Sequence, residues 1–204
     1  KLSIKNGRCL SVGCGNKCRY HDLTRNFKLD GVDLVEPPST MPDNFSYYQC
    51  DAANLPFLNE TYNLILAIES FEHIQDNQKA MKEISRTLKK DGYLIMTTPT
   101  HWTWIFEFGR HGPHYYDKNA IYKLLSNSDL NIERIYNCGG LIFWFVNLFK
   151  SWISFIFLPI FGKRWWTIID NVLKPIFIFS WWTEKLLPFP PCNWLVVAKK
   201  TIKT

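Results

Sequence analysis

The side chains best suited to binding and chemistry sit where apolar runs stop. Arg8-Cys-Leu-Ser-Val-Gly-Cys-Gly15 is a short run of strand formers that breaks on Gly13-Cys14-Gly15. Glycines placed there let backbone approach a ligand closely, although a flexible turn satisfies the same octapeptide. Asp33 lies 18 residues beyond Gly15. An acid at about that distance, at the end of the neighbouring strand, can hold both hydroxyls of a ribose; the alternative is a solvated turn aspartate. Asp51 follows a third stretch and stands beside Ala52, where a carboxylate can accept from an adenine amino group while the backbone reads a ring nitrogen. Proton acceptors come next: His73 after the fourth run, His111 and His114 after the fifth. Glu69, Glu72 and His73 stand at i, i+3 and i+4, which on a helical turn would set two carboxylates and an imidazole on one face. That set could ligate a divalent ion, but hydrogen-bonded structural roles are commoner, and no metal is expected.

The elements that must position these groups alternate. Residues 30–35 read as a second strand stopped by Pro37 and Pro38, and residues 45–49 as a third. Tyr62 to Ile68 is nearly continuous in apolar residues, as befits a central strand covered on both faces. Asp76 is a plausible N-cap for a helix through Lys90, with Ala80, Met81, Ile84 and Leu88 facing a sheet and Gly92 taking the left-handed C-terminal position. Residues 93–98 form a fifth strand, Asp117 caps a further helix, and residues 130–138 and 193–200 supply two more strands. Alternation of this kind argues for a parallel, doubly wound α/β sheet.

As an ordered set, Val12-Gly13-Cys14-Gly15, Gly31-Val32-Asp33, Asp51-Ala52 with Leu55-Pro56-Phe57, and Phe71-Glu72-His73-Ile74 through Glu83, Arg86 and Gly92 resemble the class I S-adenosylmethionine-dependent methyltransferases. The group includes ubiquinone-biosynthesis O-methyltransferases. The resemblance covers residues 8–137 and the last strand. It implies a Rossmann-like, seven-stranded, mostly parallel sheet with an antiparallel last strand, and S-adenosylmethionine as cofactor. It further implies donor contacts from Val12, Gly13, Cys14, Gly15, Asp33, Leu34, Asp51, Ala52, Ala53, Ile68 and Glu69. Ser11 stands where that family commonly has an acid, Lys17 where it has a third glycine, Asn63 for a frequent aspartate and Asp91 for a frequent glycine. A nicotinamide dinucleotide site is the competitor from the same architecture, but it wants Gly-x-Gly-x-x-Gly, and Cys18 occupies the third position. Methyl transfer needs a base only when the acceptor atom carries a proton, so His114, His111 and His73 are the candidates for a hydroxyl acceptor.

Residues 139–187 fall outside that pattern. Six of the nine tryptophans (Trp144, Trp152, Trp165, Trp166, Trp181 and Trp182) lie there. Residues 141–162 are almost wholly apolar and, as a helix, long enough to cross a bilayer. A single span is excluded if residues 193–200 return to the same sheet, and the return segment, with Asp170, Asn171, Lys174 and Pro175, is a poor second span. A hairpin lying in the membrane interface fits better, with a helical lid over the sheet or a second subunit as the alternative. The expected division is therefore a core of residues 1–138 and 188–204 and an insert of residues 139–187. The insert points to a small or lipid-linked methyl acceptor, with oxygen as the expected methylated atom.

A net charge of +6 without a dense Lys/Arg block excludes a nucleic-acid partner. Six cysteines without a Cys-x-x-Cys motif read as reduced thiols, and no apolar leader is visible at the start. Together these place the chain in the cytoplasm, with peripheral contact on the cytoplasmic membrane face. The chain starts at Lys1 without Met just before its first strand, which points to a missing or processed N-terminal piece. The reading from a different functional class is a non-catalytic, membrane-associated binding protein with a degenerate methyltransferase core, to which Ser11 and Lys17 lend weight.

Overall fold

Seven runs of strand formers become one seven-stranded sheet in the order β3-β2-β1-β4-β5-β7-β6. The computed structural model describes residues 4, 6–15, 26–37, 39–103, 114–162, 164–183 and 192–201. From sequence, Asn16–Phe27 reads as a short or irregular helix, and residues 16–25 of it lie outside the described residues. The strands are β1 (Gly7–Val12), β2 (Phe27–Asp33), β3 (Phe45–Gln49), β4 (Tyr62–Ile68), β5 (Leu88–Pro99), β6 (Leu130–Cys138) and β7 (Asn193–Lys200). Strands β1 to β5 pair in parallel, and the C-terminal strand runs antiparallel. After β1 the chain winds outward through β2 and β3, then returns to lay β4 on the other side of β1. That reversal opens a crevice at the carboxyl ends of β1 and β4, where α/β sheets bind their ligands.

Helix α1 (Asn77–Thr87) begins where expected, with the Asp76 carboxylate accepting from the Lys79 N–H at 3.0 Å. It buries Ala80, Met81 and Ile84. Helix α2 (Lys118–Ser126) is capped in the same way by Asp117, which accepts from the Ala120 N–H at 2.7 Å. Three sequence expectations need correction. Helix α1 stops at Thr87 and not at Lys90, because Leu88 pairs with Tyr62 and starts β5 at once. The left-handed position falls on Asp91 (φ 59°), not Gly92; Gly92 is needed for space, since a Cβ there would stand 2.9 Å from the Lys89 carbonyl oxygen. The second strand also begins earlier than expected and ends at Asp33, whose carboxylate accepts from the next two N–H groups and turns the chain out of the ladder.

Two compact units emerge. One comprises Lys1–Thr98, Gly112–Ile135 and Leu195–Thr204; the other comprises Pro99–His111 and Tyr136–Trp194, so it takes in more than residues 139–187. The second unit contains helices α3 (Leu141–Phe161) and α4 (Arg164–Thr183). Among the described residues Cys9, Cys14, Cys50, Cys138 and Cys192 carry free thiols.

The first unit holds one charge deep in its sheet. Asp30 is fully buried, and its Oδ2 accepts from Arg8 Nη2 at 2.6 Å and from the Tyr62 hydroxyl at 2.9 Å. Burial, aided by the Asp30 charge, pushes the Cys9 thiol up to about 12, so it stays protonated and inert. Tyr62 is buried whereas the Arg8 side chain is 41% exposed, so water can compensate only the arginine if the acid is lost. We expect Tyr62→Phe to cost about 1 kcal/mol and Asp30→Ala about 2–3 kcal/mol in chemical denaturation, the larger loss reflecting a buried hydroxyl left without its acceptor.

Candidate active site

The turn after β1 is built for close approach. Gly13 has φ 67°, and a Cβ on it would stand 2.4 Å from the Cβ of Ser70, so neither its conformation nor its space admits another residue. The N–H groups of Gly13 and Cys14 both donate to the Val32 carbonyl, at 2.9 and 3.2 Å, which fastens the turn to β2. Asp33 completes the junction: Oδ2 accepts from the Gly15 N–H at 2.7 Å and Oδ1 from the Leu34 N–H at 2.8 Å. A carboxylate has about four lone-pair sites. With a weaker bond from Val35 at 3.3 Å counted, Oδ2 retains acceptor capacity toward the crevice.

The loop after β3 is held from below. Asp51 Oδ1 accepts from the Ala53 N–H at 2.9 Å, and its carbonyl accepts from Asn54 at 2.9 Å, which closes a tight turn over buried Ala52 and Ala53. Glu83 on α1 accepts from the Leu55 N–H at 3.0 Å and from Arg86 Nη2 at 2.7 Å. Arg86 also donates to the carbonyls of Leu55 and Phe57. The hydrogen bond from Arg86 holds the Glu83 carboxyl below the usual carboxylate range and raises the guanidinium in return.

These turns surround a cavity of about 570 Å³. Of the residues singled out in the sequence for the donor, Val12, Gly13, Asp33, Leu34, Asp51, Ala52 and Glu69 line it. Cys14, Gly15, Ala53 and Ile68 are not among the lining residues. The Cys14 side chain is buried in the core against Gly31 and Phe45, Gly15 presents backbone to Asp33, and Ala53 and Ile68 support the wall. Val32, Cys50, Ser70, Ile74, Gln75 and Asp76 also line the cavity. Asp76 reads as a helix cap in the sequence; its second place, on the cavity wall, leaves no mark in the spacing.

The histidines separate. His73 lines the cavity with its side chain half exposed, and His114 Nε2 lies 3.3 Å from the carbonyl of Gln75, itself a lining residue. His111 lies outside the described residues. Buried Tyr116 accepts from Asn77 Nδ2 at 2.8 Å and donates to the Phe71 carbonyl at 3.4 Å, which fixes the chain just after His114. Burial pushes its hydroxyl up to about 12, so it remains a donor at neutral pH. Glu69, Glu72 and His73 do not share a helical face. Glu69 has φ 49° and stands outside the 3-10 turn Phe71–His73, its N–H donating to the Thr97 carbonyl at 3.1 Å, while Glu72 is buried. Among the described residues no group of His, Cys, Asp and Glu is placed to hold a metal ion.

A family model described as a methyltransferase domain matches residues 1–135. The chain belongs to the class I methyltransferases. Norajmaline N-methyltransferase of Rauvolfia serpentina is 25% identical over 111 residues, 48% of this chain and 38% of that protein. A sterol 4-C-methyltransferase of Caenorhabditis elegans is 30% identical over 108 residues, 47% of this chain and 32% of that protein. The chain thus spans about a third of the length of these two curated relatives. The crystal structure of a putative methyltransferase from Bacillus halodurans superposes with a TM-score of 0.66 at 16% identity, covering 98% of this chain and 96% of that one, which establishes the fold.

The family's donor is S-adenosylmethionine, and the crevice fits it. Gly13 brings bare backbone to the cavity wall with Ser70 packed where a Cβ would stand, and two strand-end carboxylates, acceptors only when ionised, face a cavity large enough for a nucleoside and its amino-acid tail. Asp33 would take the ribose and Asp51 with Ala52 the adenine. Cys50 beside them keeps its thiol protonated, because burial raises it.

The Glu83 contribution has a definite sign with pH. A carboxyl held low in the folded chain stabilises above the ordinary glutamate range, and that stabilisation is lost as pH falls through the folded value. Glu83→Gln should therefore lower stability by about 1–2 kcal/mol at pH 7. The gap between variant and parent in thermal or urea unfolding should shrink steadily on acidification.

Proposed function

We propose that this chain transfers a methyl group from S-adenosylmethionine to the oxygen of a small or lipid-linked acceptor at the cytoplasmic face of a membrane. The observation that carries the donor half is the gathering of the Gly13 turn, Asp33 and Asp51 on one cavity. Bound there, S-adenosylmethionine supplies a methyl carbon activated by a positively charged sulfur. The protein's own part is alignment and exclusion of water, with Asp33 and the Gly13 turn fixing the donor's orientation. When the acceptor is a hydroxyl, its proton must leave as the new bond forms. His73 on the cavity wall would accept that proton, or His114 through Nδ1, since its Nε2 meets the Gln75 carbonyl and so carries the hydrogen.

Hydrophobic acceptors suit the rest of the chain. Helix α3 is 21 residues long with a mean hydropathy of 1.8 in its most apolar window, and only 6% of that window is buried. Apolar helical surface left in water favours a membrane-side location and an acceptor that lives there. One relative is named for a sterol substrate, which is consistent with such chemistry.

Calorimetric titration of S-adenosylmethionine into the full chain tests the reading. We expect saturable binding and, for Asp33→Ala, at least about a tenfold loss of affinity, the effect of removing charged hydrogen bonds to a diol. No heat of binding by the parent chain would replace the enzyme with a non-catalytic binding protein built on the same fold.

A further inference from the structure

Helices α3 and α4 pack along one seam. Trp165, Ile169 and Leu173 of α4 are buried against Val146, Ile153, Phe157 and Leu158 of α3. Trp165 Nε1 donates to Ser154 Oγ at 2.8 Å, and Lys150 pairs with Asp170. The contacts run 154 to 165 and 150 to 170, falling on one helix as they rise on the other, so the pair is antiparallel. The seam also fixes how each helix is rotated. At about 100° per residue, the side chains on either hand of the contact stripe can be assigned to two flanks.

On one flank stand Phe145, Phe149, Trp152 and Ile156 of α3 with Ile168, Val172, Ile176 and Phe179 of α4, all exposed. On the other stand Asn147, Ser151 and exposed Phe155 of α3 with exposed Arg164, Thr167, Asn171, Lys174 and Ile178 of α4. The two helices make a raft with one side that is wholly apolar and one, the polar side, that carries the exposed charges and amides together with Phe155 and Ile178. Its charges lie in the seam, where Lys150 meets Asp170, or on the polar side.

We infer that the α3–α4 pair docks its apolar flank into the boundary between headgroups and acyl chains of an anionic lipid bilayer, with the polar flank in water. Insertion across the bilayer is disfavoured, because Lys174, midway along α4, would then enter hydrocarbon at a cost of about 2.5–3.5 kcal/mol near its centre. A second copy of the chain fits less well, because the apolar flank carries no polar group to set a register, and a fluid lipid surface needs none. Charge supports the same partner: residues 139–187 carry five basic and two acidic side chains, with Arg164 at the start of α4. Such cations gain from anionic headgroups while tryptophans occupy the interface.

This deepens the membrane-surface reading above and rests on it for location, not for methyl transfer. The test is flotation of the full chain with vesicles of phosphatidylcholine alone and of phosphatidylcholine mixed with phosphatidylglycerol. The chain should float with the mixed vesicles, and more weakly as salt rises. The paired substitution Trp152→Glu with Val172→Glu should cut partition at least about tenfold. Asn171→Ser, on the polar flank, should leave partition unchanged. Circular dichroism and donor calorimetry on each variant confirm that the fold is intact. A chain that binds S-adenosylmethionine but ignores vesicles overturns the docking surface alone; one that floats without binding donor overturns the enzyme and leaves the surface standing. A stable dimer in light scattering, dissolved by Trp152→Glu with Val172→Glu, would assign the flank to a second copy and overturn the inference.

Discussion

The bond from the Gly15 N–H to Asp33 Oδ2, 2.7 Å long, is the constraint on which the crevice depends. It adds a side-chain tie to the backbone bonds from Gly13 and Cys14 to the Val32 carbonyl, and so locks the turn after β1 to the end of β2. One carboxylate thereby closes β2 through the Leu34 N–H, holds the glycine turn in its left-handed shape and keeps a charged acceptor at the rim. The turn in turn must carry no side chain at residue 13, because Ser70 at the end of β4 occupies that space. Four strand ends are coupled once the Glu83 and Arg86 brace under the loop after β3 is included.

What was legible in the sequence is what depends on local chain chemistry. The glycine turn, Asp33, Asp51 and both helix caps announce themselves because each is a residue type at a strand or helix end, where backbone geometry leaves few alternatives. Side-chain direction is less local. Cys14 sits in the middle of the turn motif yet points into the core, using the room left by Gly31, where a Cβ would come within 2.8 Å of its sulfur. The i, i+3, i+4 spacing of Glu69, Glu72 and His73 suggested a shared face, but the positive φ at Glu69 breaks the helical phase on which that spacing relies. Helix α1 ended early for a tertiary reason: the pairing of Leu88 with Tyr62 outweighs the helix propensity of Lys89 and Lys90.

The apolar segment shows the limit of averaged hydropathy. Read along the chain, Lys150 and Asp170 are faults in a candidate span; placed in the helix pair, each answers the other. Mean apolarity measures how much surface seeks to leave water, whereas the rotation of each helix about its contact stripe decides whether that surface forms one patch. The seam residues Ser154, Trp165, Ile169 and Leu173 set that rotation, and no single-helix reading contains it.

The cavity and the raft place different demands on an acceptor. A volume of about 570 Å³ is in the range of a single small-molecule site, and a nucleoside donor with its amino-acid tail fills much of it. Little enclosed volume then remains in which to hold a long apolar acceptor by contact alone. An enzyme resident on the surface that dissolves its acceptor has less need of such a groove, because confinement to that surface raises the effective concentration of the reacting headgroup. Residence on the lipid would then contribute what a deep acceptor pocket contributes elsewhere.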